Sequence, residues 1–150
     1  MLARIIVALF ATVCLLAQDQ KPPEPVLGSE KIMAFIATKD AKRALAFYRD
    51  KLGLRLISTE PIALMFDANG TILRVQIIPQ PSVAQYTVLG WQVPDITATV
   101  KRLENAGVAM LRVSGIPQDE LGIWKAGDGT RVAWFKDPDG HTLSVTQFLK

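Results

Sequence analysis

Few side chains in this sequence could carry out chemistry, and Arg74 is the most informative of them. Together with Gln76 it interrupts an apolar run from Thr71 to Ile78 that has the length of a β-strand. A guanidinium group in such a strand is partly buried and needs a carboxylate, a phosphate or an aromatic ring as partner. The sequence therefore predicts that Arg74 contacts an anionic or aromatic ligand. The alternative is an internal ion pair with an acidic residue, or a side chain that extends outward to solvent.

Histidine and cysteine, which supply many acid–base, nucleophilic and metal-ligating groups, occur once each in this sequence. His141 follows the turn sequence DPDG at residues 137–140, and this position predicts a surface histidine beside a turn. Cys14 lies in an apolar N-terminal segment. If that segment is removed, the mature chain can form no disulfide and has no thiol nucleophile.

The N-terminal segment has the layout of a secretory signal peptide. Arg4 precedes an uncharged apolar run from Ile5 to Ala17, and polar residues follow. The run is shorter than a comfortable membrane span, which needs roughly 17–25 apolar residues. We expect residues 1–17 to be a signal peptide, residues 18–29 to be a proline-rich linker, and the protein to be exported to the periplasm or secreted. An uncleaved anchor or a lipidated cysteine is the alternative.

The charge of the sequence gives no sign of a nucleic-acid partner. The formal net charge is +3 at pH 7, the loss of Arg4 leaves +2, and the basic residues are spread along the chain without a block. We expect no nucleic-acid partner and, after signal cleavage, no membrane partner. About 130 mature residues suffice for one domain with a hydrophobic core, which we place at residues 30–150.

A strand followed by a capped helix forms the first structural unit. The apolar run from Ile32 to Ala37 has strand length. Asp40 can cap a helix whose apolar residues recur at three- and four-residue spacing. Gly53 supplies the left-handed residue that ends this helix.

The same unit returns later in the chain. A strand-length run from Val88 to Val93 precedes Asp95, which caps a second helical pattern that ends at Gly107. From cap to glycine the first unit spans 13 steps and the second 12. The sequence therefore predicts a duplicated module, at about residues 31–79 and 86–148.

The remainder of each module predicts further strands. The glycine-rich residues 114–130 predict a mobile loop that covers a site, and Trp124 in this loop is predicted to contact a ligand. Trp91 and Trp134 lie in strands and are predicted to pack in the core. Three more strands are predicted in each module: residues 54–59, 62–66 and 71–78 in the first, and residues 109–113, 131–136 and 141–148 in the second.

Three motifs carry a resemblance to a known family: ALAFYRDKLGL at residues 44–54, VPDI at 93–96 and WFKDPDGHTLSV at 134–145. With them the chain resembles the vicinal oxygen chelate superfamily, which includes glyoxalase I, bleomycin-resistance proteins, extradiol dioxygenases and fosfomycin-resistance transferases. The resemblance covers residues 31 to about 148. It implies an α+β fold in which two βαβββ modules form an incomplete barrel around a cleft, and it implies a homodimer.

The resemblance also implies a divalent metal held by a histidine on the first strand, a histidine on the fifth and a glutamate on the last. Some members add a glutamate on the fourth strand. In this sequence those positions are Met33, Val88, Ser144 and Arg74. A thioether, an isopropyl group and a hydroxyl are poor ligands for such an ion, and a guanidinium repels it. We therefore predict no metal and no other cofactor.

A cleft that lacks a metal but keeps an apolar floor and a few polar groups is typical of a small-molecule site. We expect the protein to be an exported small-molecule binder, with a cleft completed by a second copy of the chain; whether it catalyses a reaction stays open. One alternative is a divergent metal-dependent lyase or dioxygenase, and another is an exported accessory protein without a ligand. The predicted ligand-binding residues are Met33, Phe35, Arg74, Gln76, Val88, Gln92, Trp124 and Ser144.

Overall fold

The two predicted modules fold into two four-stranded mixed sheets, each accompanied by one helix. This architecture is seen in a computed structural model that describes residues 24–149. The predicted signal peptide and the first part of the predicted linker lie outside these residues. The sheets do not close into a barrel, so the α+β fold with an incomplete barrel is confirmed.

Sheet 1 is built by the first module in the strand order β1-β4-β3-β2, with β1 parallel to β4 and the other pairs antiparallel. The first helix begins as an α-helix and continues as a π-helical segment. The elements are β1 Met33–Thr38, α1 Ala41–Leu45 with its π-helical continuation Ala46–Lys51, β2 Arg55–Glu60, β3 Ala63–Ala68 and β4 Thr71–Ile77.

Sheet 2 repeats this topology in the second module, in the order β5-β8-β7-β6 with β5 parallel to β8. No helix among the described residues is long and apolar enough to cross a membrane. The elements are β5 Thr87–Gln92, α2 Ile96–Asn105, β6 Ile123–Lys125, β7 Arg131–Lys136 and β8 Thr142–Gln147.

The helix boundaries follow the caps that the sequence predicts. The Asp40 carboxylate accepts a hydrogen bond from the Arg43 amide at 3.0 Å, and the Asp95 carboxylate accepts one from the Ala98 amide at 2.9 Å. Gly53 and Gly107 each follow the helix end with φ of 73°. From cap to glycine the first helix is one residue longer than the second. It accommodates this extra residue by widening into the π-helical segment.

One predicted strand of the second module is wrong. Residues 109–113 form only an isolated bridge, between Met110 and Phe135. The third strand of this module is instead β6, which lies inside the predicted mobile loop. The Gln118 side chain explains the difference, because its amide bonds to Val113 N, Leu111 O and Gly122 O and so occupies the backbone groups that a strand partner would need.

A single hydrophobic core joins the two modules. Tyr48 packs on Phe66 of sheet 1 with ring centroids 5.7 Å apart, while its neighbour Phe47 packs on Phe135 of sheet 2 at 6.5 Å. Trp91 stacks on the same Phe135 at 6.4 Å, as the predicted core position requires. The first helix therefore contacts both sheets, and one face of each sheet is turned away from the core.

Candidate ligand-binding site

One face of sheet 1 carries half of the predicted ligand-binding residues. Leu73 and Val75 of β4 are buried, so Arg74 and Gln76 alternate to the opposite side. Phe35 of β1 is the register partner of Arg74 and is 58% exposed. We call this side, which also carries Met33 and Gln76, the first outer face.

Arg74 is held on the first outer face by an ion pair. Its Nη1 lies 3.6 Å from Glu60 Oε2 and 3.7 Å from the Met65 sulfur, and its side chain is 22% exposed. The internal ion pair that the sequence left open as an alternative is therefore present. All contacts recorded for the guanidinium come from Nη1, so Nε and Nη2 have no partner among residues 24–149. These nitrogens can still donate to a ligand.

The corresponding side of sheet 2, which we call the second outer face, carries Ser144. Leu143 and Val145 point into the core, and Ser144 between them pairs in register with Gly90 of β5. A Cβ atom at Gly90 would lie 2.7 Å from Ser144 Oγ, so a side chain at this point of β5 would displace the Ser144 hydroxyl. Ser144 is only 7% exposed, and its hydroxyl lies close to the β5 backbone. Gln92, at the end of β5, is exposed.

Two tryptophans form an aromatic pair on the second outer face. Trp124 of β6 and Trp134 of β7 stack with ring centroids 6.1 Å apart and ring planes 29° apart. Trp134 alternates with buried Ala133 and Phe135, so its predicted core position is wrong and strand alternation could have shown this. Trp124 belongs to an ordered strand instead of a mobile loop, and its contact with a ligand stays a prediction.

The family that the sequence resembles holds its metal at four positions. In this chain those positions lie on β1, β4, β5 and β8, as predicted. They are Met33, Arg74, Val88 and Ser144, and this set does not fit a divalent metal site. Among the residues that the structure describes, no three histidine, cysteine, aspartate or glutamate side chains come together at one point.

A buried polar cluster lies where the first helix meets the β7–β8 turn. The Tyr48 hydroxyl, in a residue that is 1% exposed, donates to Asp137 Oδ2 at 2.9 Å. Asp137 Oδ1 accepts from the amides of His141 at 2.8 Å and Asp139 at 3.0 Å. Burial raises the pKa of Asp137, and these hydrogen bonds oppose the rise; burial and the nearby Asp137 charge raise the pKa of Tyr48.

His141 is buried, with 4% exposed, so the predicted surface histidine is wrong. Its Nε2 lies 2.9 Å from the Ala37 carbonyl oxygen on the open edge of β1, a contact between positions 104 residues apart. This carbonyl needs a donor because β1 pairs with a strand on one side only. The distant module supplies that donor, which no local sequence pattern reveals.

The structure brings Phe35, Gln76 and Val88 together in one groove of about 270 Å³. Tyr86 and His141 also line this groove, and the sequence had assigned neither of them to a site. Arg74 and Met33 lie on the first outer face, whereas Ser144 and Trp124 belong to sheet 2. The predicted ligand-binding residues are thus divided between two sheets.

The family model for the Glyoxalase/Bleomycin resistance protein/Dioxygenase superfamily matches residues 32–145, and the chain belongs to this superfamily. No curated protein matches the sequence significantly. Several solved structures share the fold. A glyoxalase/bleomycin resistance protein/dioxygenase from Alicyclobacillus acidocaldarius has 18% identity and a TM-score of 0.64 over 81% of this chain and 93% of that chain.

Two further solved structures are similar to the chain. A lactoylglutathione lyase from Agrobacterium tumefaciens has 19% identity and a TM-score of 0.61 over 85% of this chain and 96% of that chain. TioX from Micromonospora sp. ML1 has 20% identity and a TM-score of 0.60 over 79% of this chain and 98% of that chain. At these identities the similarity shows the fold and leaves the reaction and the ligand undetermined.

Proposed function

We propose that this protein binds a small anionic or aromatic molecule, without a metal, on its outer faces. One observation carries the proposal: Arg74 stands where some members of the family place a ligating glutamate, and its Nε and Nη2 lack a partner among residues 24–149. A fixed cation at this point repels a metal ion and attracts a carboxylate or phosphate.

The surroundings of Arg74 favour an anion that also carries a planar apolar group. Phe35 lies beside Arg74 in register and is largely exposed, so an aromatic ring can stack on it while its acidic group reaches the guanidinium. Glu60 occupies Nη1 at a long 3.6 Å and holds the guanidinium in place without using its other donors. A protein that binds its ligand in this way need not catalyse a reaction.

We further propose that the protein acts outside the cytoplasm. The support is the layout of residues 1–17, with one cation, an apolar run and a polar exit. Mass spectrometry of the protein from its native host should show a chain that begins at Gln18. Soluble cytoplasmic protein that retains Met1 would contradict export and leave the binding proposal untouched.

The binding proposal is tested by calorimetric titration with 1-naphthoate, an aromatic carboxylate, and by elemental analysis of the same protein. We expect saturable binding without a stoichiometric metal, and we expect Arg74→Ala to weaken it roughly tenfold or more, because a charge-assisted contact is worth about 1.5–3 kcal/mol. Arg55→Ala is the matched control, since Arg55 lies in the same sheet but pairs with Asp67 at 2.8 Å and is 70% exposed.

Three results would refute the binding proposal. One is a divalent ion that survives dialysis at one per chain and supports turnover, which would favour a lyase or dioxygenase. The other is equal naphthoate affinity in the wild type, Arg74→Ala and Arg55→Ala proteins. The third is a wild-type protein that does not bind naphthoate at all.

A further inference from the structure

A second cleft lies between the first helix, the β7–β8 turn and the segment after α2. Its volume is about 470 Å³, and none of the predicted ligand-binding residues lines it. Phe47 and Val108, which are 6% and 3% exposed, contribute its apolar floor. Three basic side chains line it: Arg43, Lys51 and Lys136. We call it the cationic cleft.

Each of the three basic groups is held by uncharged oxygen atoms. Arg43 Nη2 donates to the Pro138 carbonyl at 3.1 Å, and Lys51 Nζ donates to the Gly107 carbonyl at 2.9 Å. Lys136 Nζ donates to the Gly140 carbonyl at 2.9 Å and to a threonine hydroxyl at 3.3 Å. None of the three forms an ion pair with a carboxylate among residues 24–149. Their positive charges are therefore not neutralised within the described protein.

The one carboxyl group that lines the cationic cleft is already engaged elsewhere. Asp137 accepts hydrogen bonds from the Tyr48 hydroxyl and from two backbone amides, and it is 6% exposed. Burial raises its pKa and so disfavours its charged form. The cleft thus presents three cations against one largely buried acid.

The walls of the cationic cleft are fixed before any ligand arrives. The hydrogen bond from Lys51 to Gly107 ties the end of the first helix to the residue after α2, and the bond from Arg43 to Pro138 ties the same helix to the β7–β8 turn. Both lysines keep ammonium protons, and Arg43 keeps guanidinium protons, beyond those used in these bonds. A ligand can accept these protons with little reorganisation of the protein.

We propose that the cationic cleft binds a small oxyanion with two or more negative charges, of the phosphate or polycarboxylate class. A single negative charge would leave two of the three cations uncompensated, whereas a multivalent anion can accept from all three. Such charge-assisted hydrogen bonds are the strong ones in proteins. This site is independent of the proposed function, because it uses none of the predicted ligand-binding residues.

The test is calorimetric titration of the full mature protein with inorganic phosphate and, in a separate arm, with citrate. We expect saturable binding of at least one of them that weakens as salt is added. Arg43→Gln, Lys51→Gln and Lys136→Gln should each weaken it about fivefold or more, since each removes one charge-assisted contact. Thermal denaturation of each variant verifies that the fold is retained.

Lys42→Gln is the matched control, because Lys42 neighbours Arg43 on the same helix, is exposed and does not line the cleft. It changes the net charge by the same amount and should leave the affinity within about twofold. An equal loss in Lys42→Gln and in the cleft variants would show general electrostatic attraction and overturn the proposal. Absence of binding of both anions to the wild type would also overturn it. Arg74→Ala should keep phosphate binding, which separates this site from the proposed function.

Discussion

At the scale of single residues, the two modules are joined by a few polar contacts that lie in the core. Tyr48 is central to them, because its ring packs on Phe66 and its hydroxyl donates to Asp137 in the other module. Asp137 is buried with its carboxylate oxygens hydrogen-bonded. A buried carboxylate that loses a donor is destabilised, so each member of this cluster depends on the others.

Tyr48→Phe should lower the free energy of unfolding by about 2 kcal/mol at neutral pH, because it removes a hydrogen bond to a buried carboxylate. The hydrogen bond from Tyr48 lowers the pKa of Asp137, so its loss raises that pKa further. A group with a raised pKa in the folded state loses stability as pH rises through that value. The cost of the substitution should therefore be larger near pH 7 than near pH 3.5, as urea unfolding can measure.

Tyr86→Phe is the matched control for Tyr48→Phe. Tyr86 is 71% exposed, so removal of its hydroxyl should change stability by less than about 0.5 kcal/mol at either pH. A loss in Tyr48→Phe that is no larger than in this control, or that does not depend on pH, would contradict the role of the buried cluster.

At the scale of elements, the two modules use the same local signals and differ by one residue in the first helix. Asp40 and Asp95 cap the helices, and Gly53 and Gly107 end them with the same φ of 73°. The extra residue of the first helix is absorbed as a π-helical turn instead of a longer helix. Because the extra residue is absorbed inside the helix, Gly53 still ends the first helix just before β2.

Gly53→Ala should destabilise the protein by about 1 kcal/mol, because a Cβ at positive φ is strained although nothing lies within 4 Å of it. Gly127→Ala is the control: Gly127 also has open space around it but does not have a positive φ, so the change should be near neutral. Chemical denaturation of both variants makes the comparison. Equal stability of the two would show that the positive φ at residue 53 carries no strain.

At the scale of the whole molecule, the described chain leaves apolar side chains exposed on an edge strand. Met33 and Phe35 on β1 are 46% and 58% exposed, and β1 is an edge strand of sheet 1. Such edges and apolar patches normally pair with another surface. A second copy of the chain would cover the first outer face and enclose Arg74 in a deeper cleft.

We therefore expect a homodimer in solution, with a mass of about twice that of one chain in light scattering at micromolar concentration. Phe35→Asp should convert it to monomers, because it removes an apolar contact and places there a charge that must be desolvated on association. Ile62→Asp, at a site 63% exposed in the β2–β3 turn, is the control and should leave the dimer intact. A monomeric wild type would contradict this expectation.

The sequence alone determined the features that depend on near neighbours. The caps at Asp40 and Asp95 and the stops at Gly53 and Gly107 are local interactions, so their residue types could be recognised directly. The duplicated module followed from these signals, and the motifs around it indicated the superfamily. Once the strands are placed, the sequence also gives the residue types at the four positions that hold a metal in the family, and these types do not suit a divalent metal.

Only the tertiary structure decided the features that join distant parts of the chain. His141 is buried because the edge carbonyl of Ala37 in the other module needs a donor. Gln118 takes the backbone partners of residues 109–113, so the third strand of sheet 2 moves into the predicted loop. Arg74 of β4 meets Glu60 of β2 because its long side chain reaches across β3, which lies between these two strands. The contacts of His141 and Arg74 join different strands or modules, and the contacts of Gln118 depend on a side-chain conformation, so residue spacing does not encode any of them.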